Sequence, residues 1–411
     1  MQNFPIDRIR SRFPALSRDV EGQPAAYFDA PGGTQACDAA IAAMTTHLRE
    51  GTANAGGPFA TSVETDRLSD DAHAAIADLL GAQPEEIAFG PNMTTLTFAV
   101  SRALARDWRE GDELVVTRLD HDANVAPWLQ VAEDRGMTVR WLDFDPATGR
   151  WTLEDFAGLL GPKTRLVALG VASNALGTVN PIAEAVKLVR GRSDAFVYVD
   201  AVQSVPHLVT DVAAIGADFV ACSPYKFFGP HQGVLWMNPR LDDRVRAYKV
   251  RPAGNDGAHR FETGTPSFEG QAGVLGTISY LEWLGELADP SANSRRSRLV
   301  AAMTAATAYE VELGDRLLAG FAAIPGLKLW GPPTMEARVP TFSFTLSGHA
   351  APAIAQHLAK RGIFAWAGHF YAVEVAARLG LADKGGLLRV GLCHYNTAEE
   401  VDRLIAALTE I

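Results

Sequence analysis

Three cysteines, Cys37, Cys222 and Cys393, stand far apart in this chain, with no CxxC spacing among them. That scarcity excludes a disulfide framework, gives no ligand set for a structural metal, and fits a reducing cytosol. Positive charge is also short: 37 Lys and Arg face 48 Asp and Glu, a formal net charge of −11. A chain of that sign repels nucleic acid and anionic membranes, so neither is an expected partner. No apolar run reaches the roughly 18 residues of a membrane helix, and the N-terminus carries no apolar signal region, so a cytoplasmic location is expected. Repeats and low-complexity segments are missing too. What remains is an ordinary globular composition, 47% hydrophobic and 21% charged, in a chain of 411 residues that is long enough to divide into two domains.

The stretch from Phe196 to Met237 organises the rest. Phe196-Val197-Tyr198-Val199 reads as a buried strand. It delivers Asp200 at its C-terminal end, where open α/β sheets place ligand groups, and Gln203 follows. A second apolar run, Phe219-Val220-Ala221-Cys222, ends in Ser223-Pro224-Tyr225-Lys226, and Gly229-Pro230 turns the chain into a third strand, 233–237. A lysine between two aromatics and a Gly-Pro turn is poorly placed as a solvated charge. An acid, an amide, a hydroxyl and a lysine at strand ends are the set that pyridoxal phosphate chemistry requires. The lysine amine condenses with the cofactor aldehyde, and a carboxylate pairs with the pyridine nitrogen. That negative neighbour keeps the nitrogen protonated. Gln203 would donate to the ring oxygen and Ser223 to the phosphate. Singly, Asp200 reads as well as a helix cap and Lys226 as a loop cover; the four in this order single out the cofactor.

With these residues in place, the chain resembles the class V, fold-type I pyridoxal phosphate enzymes, and most closely their cysteine desulfurase and selenocysteine lyase branch. The likeness runs nearly end to end, from Arg8-Ile9-Arg10-Ser11-Arg12-Phe13-Pro14-Ala15-Leu16 and Ala26-Tyr27-Phe28-Asp29 to His394-Tyr395-Asn396-Thr397-Ala398-Glu399-Glu400-Val401-Asp402. It implies an α/β fold with a large domain on a mainly parallel seven-stranded sheet and a small α+β C-terminal domain. The expected division is an N-terminal segment, 1–25, packed on the small domain, a cofactor domain over 26–289, and the small domain over 290–411. Apolar periodicity supports the alternation of a parallel sheet between about 85 and 237, with strands at 86–89, 113–117 and 165–170 besides those above. It also predicts helices at 35–50, 62–80, 271–288, 294–321, 352–361 and 397–408, and strands at 341–346 and 387–392. Ile6, Ile9, Phe13 and Leu16 have helical spacing.

Site residues follow from the residues and the resemblance together. Strand 86–89, the loop Gly90-Pro91-Asn92 and the following helix make an anion site of free backbone N–H groups. The resemblance places the cofactor phosphate there, on Met93 and Thr94, and Thr94 serves equally as a helix cap. His121 falls on the histidine that stacks on the pyridine ring and shuttles protons; Asp120 and Asp122 would raise its pKa if they lay close. Asn174 matches the residue that reaches the ring oxygen or the substrate carboxylate. Arg389 lies in an otherwise apolar strand, where a buried guanidinium needs an anionic partner, and it matches the clamp for the substrate carboxylate. Thr265, in the Gly-Thr pair of Glu262-Thr263-Gly264-Thr265-Pro266, would reach the cofactor phosphate of a neighbouring subunit in a homodimer. The Gly32-Gly33 loop either approaches the cofactor or is a plain turn.

Three positions depart from the family. Tyr371 stands where desulfurases carry the loop cysteine that accepts sulfur, and a phenol cannot form a persulfide. Tyr225 replaces a phosphate-contacting histidine, and Trp366 stands where the family often has arginine. Tyr371 serves either as an acid or base beside the substrate or in packing. The expected function is therefore α-proton removal from an amino acid with Lys226 and His121 as proton carriers, leading to a C–S or related lyase rather than a persulfide-forming desulfurase. A class V aminotransferase or an amino-acid epimerase would use the same first step. A non-catalytic binding protein on this fold would be expected to have lost Lys226, Asp200 or Arg389, and all three are present.

Overall fold

The computed structural model describes residues 4–411; the first three residues of the expected N-terminal segment lie outside that range. Seven strands form the main sheet: β1 (Ile87–Gly90), β2 (Glu113–Thr117), β3 (Thr138–Leu142), β4 (Thr164–Gly170), β5 (Phe196–Asp200), β6 (Phe219–Cys222) and β7 (Gly233–Met237). Their order is β1-β7-β6-β5-β4-β2-β3. The five from β3 to β6 run parallel, and β7 is antiparallel to both of its neighbours, β6 and β1. The mainly parallel seven-stranded sheet of the sequence reading is therefore present. Its inner strands are runs such as Leu114-Val115-Val116 and Val197-Tyr198-Val199, buried on both faces because helices cover each side. Strand β3 went unread in the sequence. It is an edge strand, and Thr138 and Arg140 are exposed along it, so it shows no continuous apolar run.

A second sheet is antiparallel throughout: β8 (Leu327–Trp330), β9 (Thr341–Leu346), β10 (Trp366–Gly368) and β11 (Leu387–Gly391), in the order β8-β9-β11-β10. Phe342, Phe344, Leu388 and Val390 build its core, which also takes in Ala26 and Phe28. The chain there pairs as a short parallel strand, Ala26–Tyr27, with Ile363–Phe364. The helix Arg295–Ala322 spans both cores, with Leu299, Ala302 and Met303 in the first and Leu313, Leu317 and Phe321 in the second.

The helical spacing read over residues 6–16 resolves into two pieces, an α-helix Ile6–Arg10 and a 3₁₀ turn Pro14–Ser17. Pro14 lacks an N–H, and it opens the second piece instead of extending the first. The segment lies at a seam. Phe13 packs edge-on against Phe228, Tyr280 and Tyr395. Arg10 bonds the Tyr395 carbonyl and the Glu400 carboxylate on one side, and Arg12 pairs with Asp38 on the other.

Candidate functional site

The C-terminal ends of β2, β4, β5 and β6 come together because the registers align Gly170 with Asp200 and Asp200 with Ala221. There they surround a cavity of about 560 Å³. Met93, Thr94, His121, Asn174, Asp200, Gln203, Ser223, Tyr225 and Lys226 all line it. Nine residues named from sequence thus meet at one place.

Lys226 is buried, and its Nζ donates to the Pro31 carbonyl. Burial and the nearby Arg389 push its amine down to about 7, against the pull of Asp200. Asp200 accepts the Val202 N–H at 2.8 Å, and burial raises its carboxyl to about 6. The loop 29–33 is a turn, closed by the Gly32 N–H on the Asp29 carbonyl and the Gly33 N–H on the Ala30 carbonyl, and it passes close to Lys226. A Cβ on Gly33 would sit 3.2 Å from the Tyr225 ring.

At the start of the helix Met93–Leu104, Asn92 Oδ1 accepts the Thr95 N–H at 2.8 Å, and the Leu96 N–H reaches the Asn92 carbonyl at 3.2 Å. The N–H groups of Met93 and Thr94 lie in the unpaired first turn and are free for an anion. Asn92, not Thr94, is the cap. Strand β7 fits beneath this loop because residue 233 is glycine; a Cβ there would lie 2.4 Å from the Asn92 carbonyl carbon.

His121 differs from expectation. Its pKa is not raised by its acidic neighbours but lowered to about 4, by burial and by the positive charges of Lys226 and Arg389. Asp120 instead faces Asn124, accepting its amide at 2.8 Å. Burial and the charge of Asp200 push the Asp120 carboxyl well up. His121 Nδ1 accepts the Ala123 N–H at 3.0 Å, so the neutral ring carries its proton on Nε2.

Two amides are turned from their expected partners. Asn174 Nδ2 donates to the Phe370 carbonyl at 2.8 Å. Gln203 Nε2 donates to Thr341 Oγ1 at 3.1 Å, leaving a buried, unpartnered Oε1. A half-turn of the Gln203 amide would let the Thr341 hydroxyl donate to Oε1 and present Nε2 to a ring oxygen. Taken together, the free N–H pair, the orphaned amide oxygen and the buried amine and acid fit pyridoxal phosphate.

Arg389 stands beside the cavity. Its Nη1 donates to the Asn174 carbonyl at 2.9 Å, its guanidinium lies 4.2 Å from the centre of the Phe370 ring, and its Nε has no partner. Burial lowers it to about 9, against the charge of Asp29. Asp29 is a site residue the sequence reading quoted without assigning. Its Oδ1 is buried without a partner, and burial raises its carboxyl to about 6.

Tyr371 does not line the cavity. It is 68% exposed, and its ring stacks on His121 at 5.5 Å and 21°. The Asp122 N–H donates to the Tyr371 carbonyl at 2.7 Å, which holds Phe370 and Tyr371 together in left-handed backbone, at φ 55° and 57°.

Thr265 is exposed and lines a separate recess with Gly90, Pro91 and Thr95, so it does not reach the cavity of its own chain. Its segment is clasped by Glu262, which accepts the Phe89 N–H at 2.7 Å and bonds His73 Nε2 at 2.8 Å. His73 and His259 stack there with planes 20° apart. Both ring nitrogens of His73 are engaged, Nδ1 with the Ser69 carbonyl at 2.7 Å and Nε2 with Glu262, so the cluster serves as a clasp. Cys37, Cys222 and Cys393 are all fully buried, and burial raises each thiol.

Comparison with known proteins adds four findings. The profile of the aminotransferase class-V family matches residues 26–404. A cysteine desulfurase of Yersinia pestis is 32% identical over 425 residues, covering 100% of this chain and 98% of its own. An uncharacterized protein of Mycobacterium tuberculosis is 32% identical over 409 residues, with 99% of each chain covered. Among solved structures, a cysteine desulfurase from Thermococcus onnurineus NA1 shares the fold with a TM-score of 0.86 at 24% identity, covering 100% of this chain and 98% of that one.

Proposed function

This chain belongs to the class V aminotransferase family and is a pyridoxal-phosphate-dependent enzyme related to the cysteine desulfurases, and from that premise we propose that it is a C–S or related lyase, which removes the α-proton of an amino acid and expels a group from Cβ. One observation carries the choice. The loop position that would bear a sulfur-accepting cysteine holds Tyr371, stacked on His121, while every cysteine is buried with its thiol pushed up. Sulfur leaving the substrate therefore has no thiolate in reach to carry it.

When bound, pyridoxal phosphate supplies an electron sink for the charge left at the substrate Cα. The residues around it divide the remaining work. Asp200 would pair with the pyridine nitrogen, where a neighbouring positive charge would favour its ionised carboxylate. Met93 and Thr94 hold the phosphate with main-chain N–H groups, and the Ser223 and Tyr225 hydroxyls complete the cradle. Gln203, with its amide turned, donates to the ring oxygen. Arg389 takes the substrate carboxylate on its free guanidinium edge, beside Asn174. Lys226 receives the α-proton on Nζ, a role its lowered pKa suits. His121 offers its face to the ring and the proton on Nε2 to the departing group.

The two-domain division at 26–289 and 290–411 belongs to the same proposal, and the two cores joined by the helix Arg295–Ala322 support it. So does a homodimer in which exposed Thr265 completes the neighbour's phosphate site. Three unpaired cysteines accord with the cytosol, and no helix among the described residues is long and apolar enough to cross a membrane.

Proton NMR of the cofactor-loaded protein with L-amino acids and cysteine S-conjugates in deuterated buffer tests the reaction. The expected outcome is loss of the α-proton signal with pyruvate and ammonia as products. Alanine as the product would instead mark a desulfurase, a keto acid without ammonia a transaminase, and exchange without other change an epimerase.

A further inference from the structure

Strand β10 pairs with β11 so that Trp366 lies directly opposite Arg389. Directly opposed residues of an antiparallel pair point to the same face. The indole is thus the lateral neighbour of the guanidinium assigned to the substrate carboxylate. It is 55% exposed, and glycine at position 32 leaves room for it: a Cβ there would lie 2.7 Å from the indole Nε1.

Beyond the indole opens a recess of about 1150 Å³ that shares Tyr225 with the catalytic cavity. Its aromatic walls are Trp366, Tyr225 and His231, the last stacked on Tyr225 at 4.7 Å. The two acids lining it are Asp29, with its unpartnered Oδ1, and Glu269, which accepts the Ser267 hydroxyl at 2.7 Å. Among the described residues, no lysine or arginine lines it.

We propose that this recess receives the side chain of the substrate and selects a positively charged one, an amino acid carrying an ammonium or similar nitrogen cation beyond Cγ. The inference rests on the reading above, in which Arg389 holds the carboxylate and reaction occurs at Cα. With the carboxylate fixed on β11, a side chain pointing toward Tyr225 passes over the Trp366 indole. A cation there is drawn to the negative face of the ring and to the carboxylates of Asp29 and Glu269. An anion meets the same two carboxylates, with only His231 and the Arg389 guanidinium, already engaged by the substrate carboxylate, to set against them, and a neutral alkyl chain gains only contact area.

Three cysteine S-conjugates of similar length separate the cases: S-(2-aminoethyl)-L-cysteine, S-propyl-L-cysteine and S-carboxymethyl-L-cysteine. Each is titrated into the cofactor-loaded protein while the visible absorption of the cofactor and the release of pyruvate are followed. The aminoethyl conjugate should half-saturate the absorption change at a concentration about tenfold below the propyl conjugate, with the carboxymethyl conjugate weakest. Trp366→Arg and, independently, Glu269→Gln should shrink or reverse that order. Equal half-saturation, or preference for the anion, overturns the selectivity. The two readings fail separately. The charge order without pyruvate from any conjugate keeps the selectivity and rejects the lyase. Equal pyruvate from all three keeps the lyase and rejects the selectivity, and no absorption change with any conjugate rejects both.

Discussion

Lys226 has almost no water around it, and its amine faces one guanidinium and one carboxylate from distant parts of the chain. Burial and Arg389 disfavour the charged form and Asp200 favours it, and the balance leaves the amine at about 7. Only the neutral amine attacks an aldehyde. Below pH 7 its fraction grows about tenfold per pH unit, and above 7 it saturates. Schiff-base formation by the stripped protein, followed by visible absorption, should therefore rise from pH 6 to 7 and level off by pH 8, with Lys226→Ala giving no Schiff-base band and only the absorption of the unreacted aldehyde. A rate still climbing tenfold per unit through pH 9 would show an ordinary lysine and reject the assignment. Asp200, Gln203, Ser223 and Lys226 were legible in the sequence because each follows a short apolar strand at the end where such sheets bind ligands. The titration of His121 was not. Its neighbours in sequence are acids, but the charges that act on it are Lys226 and Arg389. Only folding brings those two to the ring, and it turns Asp120 toward Asn124.

Strands with a continuous buried run were legible to within a residue or so, because burial on both faces demands an unbroken apolar sequence. The edge strand Thr138–Leu142 makes no such demand and was missed. What no periodicity shows is how tightly two elements approach. Strand β7 passes under the Asn92–Met93 turn with no space for a side chain on residue 233. Gly233→Ala would press its methyl group into the Asn92 carbonyl and the Met93 amide, at 2.4–2.7 Å. Backbone cannot yield as a flexible side chain can, so the cost is about 1–3 kcal/mol of stability. The same displacement would misalign the two N–H groups assigned to the phosphate. The variant should thus unfold at lower temperature and need more cofactor for half-saturation. Gly191→Ala, in the helix Ile182–Arg192 with nothing within 4 Å of its Cβ, serves as the control and should leave cofactor binding unchanged while raising the unfolding temperature slightly. A Gly233→Ala protein that binds cofactor as the parent does would reject the phosphate assignment of that turn.

At the scale of the whole molecule, a single chain leaves apolar surface and one expected site residue unused. Ile41 and Leu48 project from the helix Asp38–Glu50, 46% and 58% exposed, and Phe59 stands 56% exposed just before the helix Ala60–Leu80. Seven residues apart, Ile41 and Leu48 share one helix face. Thr265 is held outward by the Glu262 clasp, away from its own cavity. A second copy covering the apolar face would account for both features. Sedimentation equilibrium should then give twice the chain mass of 44.0 kDa, and Phe59→Asp with Leu48→Asp should reduce it to the monomer. Dimer mass alone does not place Thr265, but mixed dimers do. A Lys226→Ala chain cannot link the cofactor covalently, and a Thr265→Ala chain should hold it weakly. If Thr265 acts across the interface, a hybrid of the two has one intact site, with Lys226 from one chain and Thr265 from the other. Mixing and reassociating the two variants should then restore covalent attachment of the cofactor, trapped by borohydride, at low cofactor concentrations where neither variant alone shows it. If Thr265 acts within its own chain, or in no site at all, every hybrid site lacks what its own chain lacks, and mixing restores nothing.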